Sequence, residues 1–282
     1  MPDMEVQQSL LYKRYVRALG WRVIGEKGKY IFIKSFPFIG GLAKIQRITS
    51  LPEVTGLAAT LSHHHVRTVI IEPDTSIAQA AFDRWASRLS RHFKISKTPY
   101  IPTKTILIDI SRPEQLIFKA FSEAKRRGVR RAIKHGVIIR ESMDINTFIK
   151  TKNRASGFLG FMTTYGVRQL WQIFAPKHTA ILLAYHAEKT QNNKPLGGIL
   201  LLFWNHVAYY WIACASKHGK KFFTPTFLVW EAIKLAKSRG CKLFDFVGVW
   251  DERNTQHYKE WIGFTKFKEG FGGKSLYYPI VK

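Results

Sequence analysis

Acidic residues are scarce in this chain of 282 residues: nineteen Asp and Glu stand against forty-five Lys and Arg, a formal charge of +26 at pH 7. A field of that size repels itself and is tolerated most easily where anionic partners neutralise it. Nucleic acid phosphates and an anionic membrane surface are the two classes that qualify, although a generally basic proteome explains the charge with no partner at all. Cysteine is nearly absent, and Cys214 and Cys241 lie in apolar runs. They read as small core residues of a reducing compartment, not as a disulfide framework. A secretory leader is not apparent, because residues 1–8 carry acids and amides where a basic start and an apolar stretch are needed. Residues 196–215 come nearest to a membrane span, but Asn205 and His206 sit at their centre, where a spanning helix would bury both. They divide instead into strands 197–204 and 207–215 joined by a tight Asn-His turn. The expected location is the cytoplasm, with the inner face of the membrane within reach of the charge.

Metal and hydrolase signatures are missing too. His63, His64 and His65 are consecutive, so on a strand they cannot all face one ion, and no Cys or acid stands near them at ligand spacing. No metal site is expected. A Ser–His–Asp reading has no nucleophile elbow to support it.

What is present is enough apolar residue, 46% of the chain, to build two compact cores or one elaborated one. Residues 9–19 have a helical apolar face ended by Gly20; strands follow near 23–24, 30–33, 44–48 and 66–71, and a helix spans 76–92. Two prolines within residues 97–102 mark a linker. The expected domains are 1–101 and 102–274, with a tail, 275–282, packing back on the first. The second domain opens with strand 105–110, a capping box of Ser111 and Glu114, and one or two helices through Lys134 that stop at Gly136. Strand 137–140 and a mixed helical region, 145–174, lead to three successive strands, 180–187, 197–204 and 207–215. A basic loop, 216–221, precedes a helix opened by Pro225 and a strand, 243–247. A crossover helix makes those last two strands parallel. Three meandering strands, a helix and a strand is the core order of the GNAT (N-acetyltransferase-like) fold.

Several clusters have chemistry to offer. Arg127, Arg130, Arg131 and Lys134 fall at i, i+3, i+4 and i+7, on one helix face; such a face is either solvated or set against phosphates, which the guanidinium fork matches. Lys217, Lys220 and Lys221 occupy the place where a CoA-dependent GNAT enzyme holds pyrophosphate on a glycine-rich turn. One glycine and bulky lysines there disfavour backbone cradling of CoA. Asp245, inside Leu-Phe-Asp-Phe-Val, must be paired or face a cavity. Glu72, in Ile-Ile-Glu-Pro, is a strand-end carboxylate at a turn.

The run Phe244-Asp245-Phe246-Val247-Gly248, followed by Phe267-Lys268-Glu269-Gly270-Phe271, resembles the aromatic-Asp-x-x-Gly strand and Phe-Lys-x-x-Phe element of the Fem (FemX/FemA/FemB) family of tRNA-dependent peptidyltransferases. Residues 126–137, ending in Lys-His-Gly-Val, are similar to the basic helix and strand entry that open the second domain of those proteins. The resemblance implies an α/β (α+β) fold of two tandem GNAT-like domains with mixed central sheets, here without a coiled-coil arm. It implies transfer of an amino acid from aminoacyl-tRNA to an amine of a peptidoglycan precursor, lipid-linked or UDP-linked, with no cofactor. By the same resemblance Lys268 stabilises the oxyanion, the Phe267 carbonyl holds the attacking amine, and Asp245 is catalytic or structural. Glu72 borders the acceptor, with Arg17 or Lys13 on its phosphate, while the Arg127, Arg130, Arg131 and Lys134 face meets tRNA or the acceptor diphosphate. An exposed lysine on an amphipathic strand is the plain alternative for Lys268. Two other functions stay open: a CoA-dependent N-acyltransferase on the same fold, and a non-catalytic module binding RNA or a membrane surface.

Overall fold

The computed structural model describes residues 5–38, 40–158, 160–188, 194–254 and 259–281; residues 1–4 and Lys282, at the ends of the expected first domain and its tail, lie outside them. Contacts divide the chain into two compact units, one of Met1–Thr105, Gly248–Ile262 and Ser275–Lys282, the other of Ile106–Val247 and Gly263–Lys274.

In the first unit the Ser9 hydroxyl accepts from the Tyr12 amide at 3.0 Å and so caps α1 (Leu10–Ala18). Then come β1 (Arg22–Ile24), β2 (Ile31–Phe36), β3 (Gly40–Gln46), α2 (Val54–His63), β4 (Val66–Glu72), α3 (Gln79–Leu89) and β5 (Lys94–Ile95). The sheet runs in that strand order, antiparallel through β1–β2–β3 and parallel through β3–β4–β5. Parallel neighbours need a crossover, and α2 and α3 supply one each. Their apolar faces, including Leu57, Leu61, Phe82, Trp85 and Leu89, close the core over Ile33, Ala43, Ile45, Val69 and Ile71. The histidine run corrects one expectation. His63 ends α2, His64 caps it and His65 turns the chain at φ 51, so none of the three is on a strand. Among the described residues no His, Cys, Asp and Glu group is arranged to hold a metal.

The second sheet contains β6 (Lys104–Asp109), β7 (Val137–Ser142), β8 (Thr179–His186), β9 (Gly197–Trp204), β10 (Val207–Ala215), β11 (Leu243–Asp245) and β12 (Lys274–Tyr277), in the order β12-β6-β11-β10-β9-β8-β7. Its helices are α4 (Glu114–Ala120), α5 (Glu123–Lys134), α6 (Ile145–Ser156), α7 (Val167–Phe174), α8 (Lys217–Lys221), α9 (Thr224–Ser238) and α10 (Ile262–Glu269). The β9–β10 hairpin lies where the sequence puts it, with Asn205 and His206 both at positive φ (46 and 60), the conformation of a two-residue type I′ connection. As expected, β10 and β11 are parallel. A Cβ on Gly198 would touch Phe148 of α6, whereas the Arg239 guanidinium, just after α9, lies over Phe203. An odd separation along one strand means opposite faces, so α6 and α9 cover the two sides of this sheet.

Two local readings are corrected. No capping box forms at Ser111: Pro113 is the N-cap of α4 without a side-chain bond, and the Ser111 amide and hydroxyl both turn back to the Asp109 carboxylate. The basic loop at 216–221 is a helical turn, α8, because the Ser216 hydroxyl accepts from the Gly219 amide at 2.9 Å. Among the described residues the longest helix is the 15-residue α9. None is long and apolar enough to cross a membrane, and no coiled-coil arm is present.

Candidate active site

The second unit gathers its candidate chemistry where two parallel strands part. β11 pairs with β10 only over Val207–Leu243, Ala208–Phe244 and Tyr209–Asp245. Beyond that point β10 is half-buried and carries an irregularity between Tyr210 and Ile212. Lys268 reaches into this region from α10, so it stands on a helix and not on an amphipathic strand. It is turned inward: its ammonium donates to the Phe246 carbonyl at 2.9 Å and lies 5.7 Å from the Tyr210 ring centre. Burial pushes its pKa down to about 8, with the nearby Asp245 opposing the shift. A cation held this way is charged at neutral pH and can meet a developing oxyanion.

Asp245 is buried, and its carboxylate accepts from the Val247 amide at 2.7 Å. That bond closes a turn in which Val247 and Gly248 both take positive φ (54 and 122), the usual use of an Asx side chain. Phe267 lies one residue before Lys268 in the last turn of α10, where carbonyls run out of intrahelical partners. The following two, Lys268 and Glu269, are taken by the Phe271 and Gly272 amides. Sequence reasoning missed Lys125 of α5. Its ammonium lies 3.8 Å over the Phe267 ring and 5.0 Å from that of Phe271, and burial lowers its pKa to about 8. Only its place directly before the basic residues 126–134 hinted at a role.

The two basic clusters of this unit meet on aromatic rings. Gly128, Val129 and Ala132 face inward from α5, which leaves Arg127, Arg130, Arg131 and Lys134 exposed. Arg127 makes a solvent-exposed 3.6 Å pair with Glu123, whereas the Arg131 guanidinium lies 5.4 Å over Phe223. Phe222, next to it, is ringed by His135, His186 and His218 at 5.4, 5.4 and 4.5 Å between ring centres. α8 ends at this ring with Lys217, Lys220 and Lys221 exposed. Its single glycine serves packing: a Cβ at Gly219 would collide with the Leu196 carbonyl oxygen. The Gly219 and Lys220 amides are bonded to Ser216, and so cannot cradle a pyrophosphate.

The first unit has its own polar centre. Glu72, at the end of β4, is buried and accepts from the Tyr100 amide (2.5 Å), the Ile101 amide (2.6 Å) and Gln46 (2.8 Å). Burial dominates and raises its pKa despite these donors and the nearby Arg47. Gln8 is tied to Tyr30 and to the Gln46 carbonyl, so it anchors the N-terminal segment. Lys13 lies 4.9 Å from the Tyr30 ring centre; Arg17 is exposed in the last turn of α1. Lys44, on β3, was not anticipated. It is 5% exposed, and its ammonium lies 2.9 Å from the centre of the Tyr100 ring and 4.1 Å from that of Trp21. Burial takes its pKa down to about 7, against the pull of Glu72.

Residues 169–278 match the FemAB family. No curated protein matches the sequence. Among solved structures, FemX superposes with a TM-score of 0.73 at 16% identity, covering 98% of this chain and 91% of its own. The C-terminal domain of a putative lysylphosphatidylglycerol synthetase from Agrobacterium fabrum gives 0.60 at 10% identity, with 96% and 87% covered. A tandem GNAT protein from the clavulanic acid biosynthesis pathway gives 0.53 at 9%, with 89% and 77% covered. The fold is therefore the one seen in FemX and in tandem GNAT proteins, with two mixed α/β sheets.

Proposed function

We propose that this protein moves an amino acid from aminoacyl-tRNA to an amine of a peptidoglycan precursor stem peptide, a step of cell-wall cross-bridge formation. The observation that carries the reading is Lys268: a cation retained in a half-buried place, at the opening between β10 and β11, in the Phe-Lys-x-x-Phe element. In the reaction the acceptor amine nitrogen attacks the ester carbonyl, and a tetrahedral oxyanion forms beside the Lys268 ammonium. The C–O bond to the tRNA ribose then breaks, the amide forms, and the amine's proton leaves with the ribose oxygen. The ester is already activated, so alignment and charge stabilisation supply the catalysis. The Phe267 carbonyl is the acceptor for the attacking amine, and Asp245 holds the turn that positions Phe246 and favours the charged form of Lys268. Arg127, Arg130, Arg131, Lys134, Lys217, Lys220 and Lys221 contact tRNA phosphates, with Phe222 and its histidines as a stacking surface for unpaired bases. Glu72, Lys13, Arg17 and Lys44 serve the acceptor, whether lipid-linked or UDP-linked.

The competing CoA-dependent acyltransferase is disfavoured by α8, whose engaged amides replace the expected phosphate turn. A non-catalytic basic module gives no reason to bury Lys268. The test uses purified protein, a panel of charged tRNAs, acetyl-CoA and a muramyl-peptide acceptor, read by mass change. Addition of one aminoacyl residue supports the proposal; an acetyl adduct, or no adduct from any donor, overturns it.

A further inference from the structure

Phe158, Phe161, Met162 and Tyr165 are 96%, 64%, 61% and 72% exposed, around the short 3-10 segment Gly160–Thr164 that links α6 to α7. This exposure is built in. A Cβ on Gly160 would collide with the Asn153 carbonyl oxygen, so the segment sits directly on α6. The Gly160 amide donates to Gly157, and the Thr163 and Thr164 hydroxyls donate to the Gly160 carbonyl and the Asn153 side chain at 2.7 and 2.8 Å. Val167, Leu170, Trp171 and Phe174 of α7 turn inward, while the four side chains of the link are held outward. Four large apolar side chains exposed along one short, anchored link mark a contact site.

The surrounding charge selects the partner. Residues 145–187 contain Lys150, Lys152, Arg154, Arg168 and Lys177 but no Asp or Glu, and Lys150, Arg154 and Arg168 are exposed. Two copies meeting here would bring like charges together. Four side chains also fall well short of the roughly 800 Å² per partner of a stable protein interface. An interfacial wedge needs only a few apolar and aromatic side chains flanked by cations. We infer that Phe158, Phe161, Met162 and Tyr165 insert into the interfacial zone of an anionic lipid bilayer, with Lys150, Arg154 and Arg168 on the headgroups.

The full chain is tested by co-sedimentation with phosphatidylcholine vesicles, with and without phosphatidylglycerol, and no transfer substrate is present, so the result is independent of the transfer reading. Binding to the anionic vesicles is expected to fall about tenfold or more in Phe161→Ser/Met162→Ser, the scale set by two apolar side chains kept from the lipid. It is expected to fall also in Lys150→Gln/Arg154→Gln/Arg168→Gln. Phe161→Trp covers the case in which the double variant does not fold: its added emission should shift to the blue and be quenched by brominated acyl chains. Absence of vesicle binding overturns the inference. So does a double variant that binds like the parent, a Phe161→Trp variant whose added emission stays unquenched, or a concentration-dependent dimer that the double variant abolishes.

Discussion

Replacing Lys268 by Met should separate catalysis from stability. The lysine titrates at about 8 instead of its ordinary 10.5, which at about 1.4 kcal/mol per pH unit is roughly 3 kcal/mol held against its charged form at neutral pH. The bond to the Phe246 carbonyl is lost in the variant, a charged hydrogen bond being worth about 1.5–3 kcal/mol. That carbonyl is the acceptor left behind, and methionine keeps the length and packing of the side chain. The two effects nearly offset, so the denaturation midpoint should stay put or rise slightly. The sign of the pH dependence follows from the lowered pKa: the parent's penalty is full below about 8 and fades as pH climbs towards 10.5. Any stability advantage of the variant therefore closes across that window. Turnover should behave differently, falling about a hundred- to a thousand-fold for the loss of an oxyanion donor, or about 3–4 kcal/mol. In the parent, turnover should also decline about tenfold per pH unit above about 8, as the ammonium is lost. Urea denaturation and the mass-based transfer assay, run on parent and variant over the same pH series, supply both readings. Turnover within about threefold of the parent would be far too small for an oxyanion donor, and Lys268 would lose its catalytic assignment. A variant that unfolds would refute the claim that its charge is kept at a cost to stability.

Changing Arg127, Arg130, Arg131 and Lys134 to Gln should flatten the slope of log affinity for tRNA against log salt, by about 0.7–0.9 for each phosphate contact removed; an unchanged slope would make this face a solvated surface. If Lys44 holds an acidic group of the acceptor, calorimetry should show affinity falling as pH rises through about 7, and Lys44→Met should bind weakly with a flat pH profile. Asp245→Asn keeps an oxygen for the Val247 amide, so the fold should survive. Without the carboxylate charge, the alkaline decline in turnover should begin at lower pH, whereas an unmoved profile would confine Asp245 to the turn.

The hairpin at 197–204 and 207–215 was legible because two apolar strand patterns flank a pair of turn-forming residues, all within twenty residues of chain. The parallel pairing of β10 and β11 followed from a crossover helix and the handedness rules for strands. Position along the chain was also enough to single out Phe267 and Lys268. Their conformation was not legible: Gly263-Phe-Thr-Lys-Phe-Lys alternates well enough for a strand, and only packing made it a helix with Lys268 turned inward. For the same reason the lysines at 217, 220 and 221 read as a loop until Ser216 capped them. Lys44 shows the sharper limit. Nothing beside it in sequence distinguishes it, and its character comes from Trp21 and Tyr100, brought over it by the pairing of β1, β2 and β3 and by the turn after β5. Lys125 and Phe267, and likewise Arg131 and Phe223, are neighbours for the same reason. Local pattern and motif order therefore determined most of the elements and the one lysine to test. Which charges lost water, and which rings they met, depended on contacts between residues tens of positions apart, and only the tertiary fold decided those.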